Sequence, residues 1–313
     1  MSDLAPVGAP GARGGGPGSV SPERAERRKT LRLRRPDALT SVQLAPASTL
    51  FLLCVAAPLG FFVIFSFWQL KNYEIVPQWT TGNYRAAVGD ASFRSLLWNT
   101  VEIALATAVV TTTIATVLAS VLRFRLARWQ NAIMFLIMIA LFSGYLVRIF
   151  AWETLLGEQG AINKLLETLG VIDHPISVLL YTRASAIIVL TNFLIPMAIL
   201  PCYAAFQNVR ESEVEAARDL GGSAVQAYRR VVLPLAWPGV FAAFALTFII
   251  ASGDYLTPQL VGGVSGTMVG EQIAGTFLTE FNWPLGAAYA VIDLGVVLLA
   301  VVAVKAVTNR AVR

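Results

Sequence analysis

Histidine occurs once in this 313-residue chain, cysteine twice, and only 14% of the residues are charged. Cys54 and Cys202 both lie inside apolar runs, which leaves no basis for a disulfide framework or a zinc site, so both read as packing residues. His174 precedes Pro175 with no Cys or His at ligand spacing and reads as a loop residue. A G-x-x-x-x-G-K-[ST] stretch is missing, so the chain has no phosphate cradle of its own. Metal-ligand clusters, a nucleophile elbow and paired catalytic carboxylates are missing too. No catalytic residue is assigned, and no metal or cofactor is expected on this chain. So little charge also excludes an ordinary water-soluble domain.

What the chain has in quantity is apolar side chains: 56% of residues are hydrophobic, and mean hydropathy is positive. A membrane-crossing helix needs roughly 20 mostly apolar residues. Six windows qualify, at about 48–68, 98–121, 131–150, 184–206, 235–253 and 285–304. With the N-terminus in the cytoplasm, Arg123, Arg125, Arg128, Arg210, Arg218, Arg229, Arg230, Lys305, Arg310 and Arg313 share its side. The opposite side keeps only Lys71, Arg85, Arg94, Arg148, Lys164 and Arg183, so the positive-inside rule places both termini in the cytoplasm. Trp68, Trp98, Trp129, Trp152, Trp237 and Trp283 fall near the window ends, where an amphipathic ring is favoured.

The chain divides into a basic tail (1–46), a six-helix domain (47–306) and a short cytoplasmic tail (307–313). Residues 1–20 are rich in Gly, Pro and Ala, and disorder is expected there. Arg24–Arg35 is polybasic. It is either a topology signal or a contact for anionic lipid headgroups worth about 1 kcal/mol per charge; no nucleic-acid partner is expected. The first apolar run has no cleavage pattern close behind it and reads as a retained span. Pro196 and Pro201 in the fourth window should kink or break that helix, which places it and Asn192 beside a path or in a kink used only for packing. Residues 151–183 and 254–284 each contain an amphipathic piece, with Ile162, Leu165, Leu166 and Leu169 before Gly170 in one and Ile273, Phe277 and Phe281 in the other.

Residues 215–234 read EAARDLGGSAVQAYRRVVLP, between two apolar windows. Ser212 and Glu215 have capping-box spacing, and so do Ser223 and Gln226. A first short helix is expected over about Glu213–Leu220, ending at Gly221-Gly222. A second should stop or kink at Leu233-Pro234. Ala216 and Ala217 allow a neighbour to approach closely, while Val214, Leu220, Val225 and Tyr228 give an apolar side. This suits a docking knob; alternatively, Glu215 only caps its own helix.

The spacing of Glu215-Ala216-Ala217, Gly221, Val231 and Leu233-Pro234 resembles the EAA signature of the membrane subunits of bacterial ABC import systems. NTVEIAL, LVRIFAWETLLGEQGAIN, GDYLTPQLVGG and NWPLGAA resemble the spermidine/putrescine-type permeases, in particular the first of their two membrane subunits. Ala140 departs from this pattern, because the family usually has a proline before the end of the third span. The resemblance implies an all-α integral membrane fold, a type I ABC importer (MetI-like) permease bundle of six transmembrane helices. Its implied partners are an ABC ATPase dimer, which uses ATP and Mg, a second permease subunit and an extracytoplasmic solute-binding protein. Within the loop 207–234, Glu215, Ala216, Ala217, Asp219, Gly221, Tyr228 and Pro234 would couple to the ATPase.

A polyamine path should offer carboxylates and aromatic faces to ammonium groups. The candidates are Asp293, Asp254, Tyr255, Glu102, Trp152, Glu153 and Asn192. Asp293 falls near the middle of the sixth window, where a charge costs about 2.5–3.5 kcal/mol and should face protein or water. Import permeases of the same architecture for opines, ferric iron, phosphonates or thiamine remain open. An ion-driven secondary transporter also remains, although the two halves show no repeat.

Overall fold

The computed structural model describes residues 45–47, 49–176 and 179–312, so the basic stretch and nearly all of the 1–46 tail lie outside the described residues. Residues 1–58 and 59–313 form separate compact units, and the boundary falls within the apolar helix α1 (Ala45–Phe65). A two-stranded hairpin follows, β1 (Gln69–Lys71) antiparallel to β2 (Glu74–Val76), with Leu70 opposite Ile75. Asn72 and Tyr73 both take positive φ, as a two-residue hairpin turn requires.

Helix α2 (Gly82–Gly89) leads into α3 (Ala91–Phe124), whose first turn is capped by Asp90 accepting from the Ser92 amide at 2.8 Å. Then come α4 (Gln130–Leu141), α5 (Tyr145–Leu156), α6 (Ala161–Thr168) and α7 (Arg183–Gln207). The short α8 (Glu211–Asp219) precedes α9 (Ala224–Ser252), and α10 (Val269–Leu278) and α11 (Trp283–Val312) complete the chain. Helix α11 continues through the segment expected to be a separate tail from residue 307.

Helices α3, α7 and α9 pack on one another along their lengths and form the centre of the bundle. Their shared seam is built from small residues, including Ala115, Ala119, Ala198, Ala236 and Ala243, which let the backbones approach. A larger-residue layer of Ile103, Leu190, Leu194, Phe244 and Phe248 continues the seam toward the other end. α7 holds Pro196 and Pro201 without breaking, so of the expected kink or break the break does not occur. At Gly239 of α9 an added Cβ would lie 2.7 Å from the Pro201 carbonyl oxygen and inside the Ala205 methyl, so only glycine permits this crossing.

Five of the six windows form single long helices. The third, expected as one span over 131–150, does not: the chain turns by 93° between α4 and the following helical segment, at Phe142–Gly144. The Arg148 guanidinium reaches back to the Ala140 carbonyl at 2.5 Å and lies 5.5 Å from the Phe193 ring. At 12 residues α4 measures about 18 Å, too short to cross the roughly 30 Å apolar layer alone.

The two outer amphipathic pieces are α6 and α10. α6 is followed by Gly170 at positive φ, as expected. α10 packs back on α11, with Ile273 against the cluster of Phe93 and Tyr289. One side of α10 therefore covers the bundle, while Phe281 beyond it remains exposed. Cys202 is buried in the central seam, but Cys54 is exposed and fills no packing role among the described residues.

Candidate functional site

The two ends of the bundle hold the candidate residues. At the end where α3 and α7 finish, α8 and the start of α9 form the expected helix-turn-helix, though its first cap differs. Glu213 accepts from the Arg210 amide at 3.3 Å and from its guanidinium at 2.6 and 3.0 Å, so the helix begins at Glu211. The guanidinium holds the half-buried Glu213 carboxyl below the usual carboxylate range. Ser212 lies inside the helix, so the expected Ser212–Glu215 box does not form. Among the described residues no ion pair engages Glu215. This removes the reading in which Glu215 serves only as a cap.

The turn closes as a Schellman motif: the Gly222 amide donates to Ala217 and the Gly221 amide to Arg218, with Gly221 at φ +85°. A Cβ on Gly222 would meet the Ala217 carbonyl oxygen at 2.6 Å, so both positions require glycine. Ser223 and Gln226 form the second expected box, at 3.3 and 3.0 Å. The following helix neither stops nor kinks apart at Pro234. Instead Tyr228–Val232 is a π-helical turn that runs directly into Leu233–Ser252, widening the helix where proline brings no amide hydrogen.

Tyr228 stacks on Phe206 with the rings 14° apart, and Val214 packs on the same core, so the knob is seated on the bundle. Glu211 pairs with Arg123 at 3.5 Å, adding a contact to the end of α3. Outward, Leu220 is 90% and Val225 66% exposed. A cavity of about 490 Å³ opens beside them, lined by Glu215, Arg218, Arg125, Val225 and Tyr228. Ala216 and Asp219 are exposed and Ala217 half-buried on the same helix.

At the other end the candidate path residues separate into several settings. Asp254 accepts from the Tyr145 hydroxyl and from the Leu256 amide at 3.0 Å, and Tyr145 also meets Thr257 at 2.7 Å. Glu102 is ion-paired with Arg183 at 2.8 Å, so its charge is already matched. Glu153 accepts from Tyr181 at 3.2 Å and raises that phenol above its ordinary range. Trp152 and Asn192 meet at one cavity of about 340 Å³, which Thr191 also lines. Tyr255 lines a different cavity of about 370 Å³ with Glu271 and Glu280, where burial raises the Glu271 carboxyl. Asp293 is half-buried on α11 and takes part in no ion pair among the described residues.

Sequence reasoning missed Tyr145, Thr257, Arg148 and Glu271. A carboxylate inside the amphipathic run MVGEQIAGTF was a usable signal for Glu271; Tyr145 carried none, because its partner is 109 residues away. The segment after Asp254 is held down by side chains of the central helices. The Thr100 hydroxyl accepts from the Val269 amide at 2.8 Å, the Ser185 hydroxyl donates to the Val261 carbonyl at 2.6 Å, and Asn99 donates to Ser265 at 3.1 Å.

The model of the family described as "Binding-protein-dependent transport system inner membrane component" matches residues 111–313. The spermidine/putrescine transport system permease protein PotB of Haemophilus influenzae is 35% identical over 164 residues, covering 52% of this chain and 57% of that protein. The protein of the same name from Escherichia coli K12 is 34% identical over 170 residues, covering 53% and 62%. The chain thus spans less than two thirds of the length of these curated relatives. In fold it is similar to a chain in the crystal structure of a bacterial ABC transporter involved in the import of the acidic polysaccharide alginate. That match has a TM-score of 0.69 at 15% identity and covers 92% of this chain and 98% of the other.

Proposed function

The chain belongs to the family of binding-protein-dependent transport system inner membrane components, multi-pass membrane proteins, and on that premise we propose that it is the permease subunit of an ATP-driven importer of polyamines. The observation that carries this reading is the seated knob with Glu215 in no ion pair among the described residues and the exposed Val225 lining a cavity with it. It is a surface on which a separate ATPase dimer, using ATP and Mg, pushes and pulls. A second permease subunit completes the path, and an extracytoplasmic solute-binding protein delivers the solute. Both termini and the knob lie in the cytoplasm, and the basic residues 24–35 set that topology or bind anionic lipid headgroups.

Force entering at α8 passes across the Gly221-Gly222 turn into α9, which is continuous from Ala224 to Ser252 and which the Tyr228–Phe206 stack joins to α7. That length is about 43 Å. Its far end positions Asp254, whose hydrogen bond from Tyr145 ties α9 to the broken third span. Movement of the knob is thereby linked to the opposite mouth. The two relatives named for spermidine and putrescine support polyamines as the solute, and the carboxylates Asp254, Asp293, Glu271 and Glu280 suit a polycation.

Replacing Glu215 by Ala in the assembled complex should leave ATP hydrolysis running while polyamine uptake falls at least tenfold. Uptake and hydrolysis that stay coupled in proteoliposomes would exclude the knob as the transmitter.

A further inference from the structure

A cleft of about 400 Å³ lies between α3, α9 and α11, sharing Tyr228 with the knob cavity and no residue with the cavity of Glu271 and Glu280. Its walls include Leu105, Val109, Val117, Phe241, Phe244 and Val304. Leu105, Val109 and Val117 are 39%, 50% and 54% exposed, so the cleft opens sideways from the bundle. Along α3, Leu105 to Val117 measures about 18 Å. One leaflet of the apolar layer is about 15 Å deep. The cleft therefore runs from mid-span to the end that carries the knob.

Two polar atoms in this apolar lining are buried without a protein partner, the Trp237 indole Nε1 and the Thr112 hydroxyl. Both atoms are shielded while the cleft stands open, so neither faces into it, and the polar surface offered to an occupant comes from the rim. The charges nearby have one sign. Lys305 Nζ lies 6.0 Å from the ring of Phe241, and Arg229 and Arg230 occupy the π-helical turn between the lining residues Tyr228 and Leu233. None of the three is ion-paired among the described residues.

We infer that the cleft holds one acyl chain of an anionic glycerophospholipid, with the phosphate facing Lys305 and the Arg229–Arg230 pair. A leaflet-deep apolar slot and a cationic rim match the two parts of that molecule, its chain and its headgroup. The site is independent of which solute is carried.

The test uses the full complex in nanodiscs of equal phosphatidylglycerol and phosphatidylcholine, extracted into mild detergent, with retained lipid counted by native mass spectrometry. Wild type should keep at least one phosphatidylglycerol per chain. Val109→Trp, which fills the slot, should abolish retention. Lys305→Gln should reduce the preference for phosphatidylglycerol with total lipid unchanged. Wild-type retention in Val109→Trp overturns the proposal. So does efficient disulfide crosslinking of a Val109→Cys chain to a second permease chain, which would make this face a subunit interface.

Discussion

Helix α7 carries Pro196 and Pro201 and runs unbroken from Arg183 to Gln207, whereas the third apolar segment has no proline between Gln130 and Leu156 and still turns by 93°. The difference lies in what surrounds each. α7 is enclosed by α3 and α9, so backbone groups freed by proline remain among neighbours that keep the helix continuous. α4 has no buried residue, and Phe135, Leu136 and Phe142 are exposed, so little opposes a turn at Ser143-Gly144. A proline weakens a helix locally, but packing decides whether the chain bends.

The close crossing at Gly239 is where this comparison is most easily broken. Gly239→Leu would drive its side chain into the Pro201 carbonyl and the Ala205 methyl, parting α9 from α7. Overpacking of this kind costs about 3 kcal/mol. The expected outcome is a melting temperature in detergent lowered by many degrees and loss of complex assembly. A variant that melts like wild type would mean that α7 stays continuous without support from α9.

How much of this could be read from the residues depended on the range of the interaction. Five spans were legible because about twenty apolar residues in a row leave few alternatives. The Gly221-Gly222 turn and the Ser223–Gln226 cap were legible because their determinants lie within a few positions. The first cap was misread because Arg210 offers Glu213 both an amide and a forked guanidinium, which outcompetes the Ser212 hydroxyl. The pairs Glu102–Arg183 and Tyr145–Asp254, 81 and 109 residues apart, leave no local pattern. Two expected path acids therefore came without their partners.

The break between α4 and α5 should respond next. Arg148 is the side chain that takes the end carbonyls of α4, so Arg148→Ala leaves the Ala140 carbonyl with backbone donors alone and removes the guanidinium from Phe193. A hydrogen bond from a charged donor contributes about 2 kcal/mol. Arg148→Lys should recover only part of it, because an ammonium lacks the planar fork. Thermal unfolding of the three proteins side by side measures both steps. Equal stability of the Ala and Lys variants would mean the fork plays no part.

The smallest effect is expected where the chain departs from the resemblance noted in its sequence, at Ala140. A proline in a helix interior costs about 3 kcal/mol, by losing one hydrogen bond and crowding the carbonyl four residues back. Ala140 sits one residue before the end of α4, and the chain already turns at Phe142, so Ala140→Pro has room to relax and should cost about 1 kcal/mol. The Ala140 carbonyl that Arg148 caps is retained in this variant. Melting measurements on Ala140→Pro, alone and with Arg148→Ala, separate the two contributions. A full 3 kcal/mol loss from Ala140→Pro alone would show that α4 is held as rigidly as α7, and that the turn is set by the Ser143-Gly144 backbone rather than by freedom from neighbours.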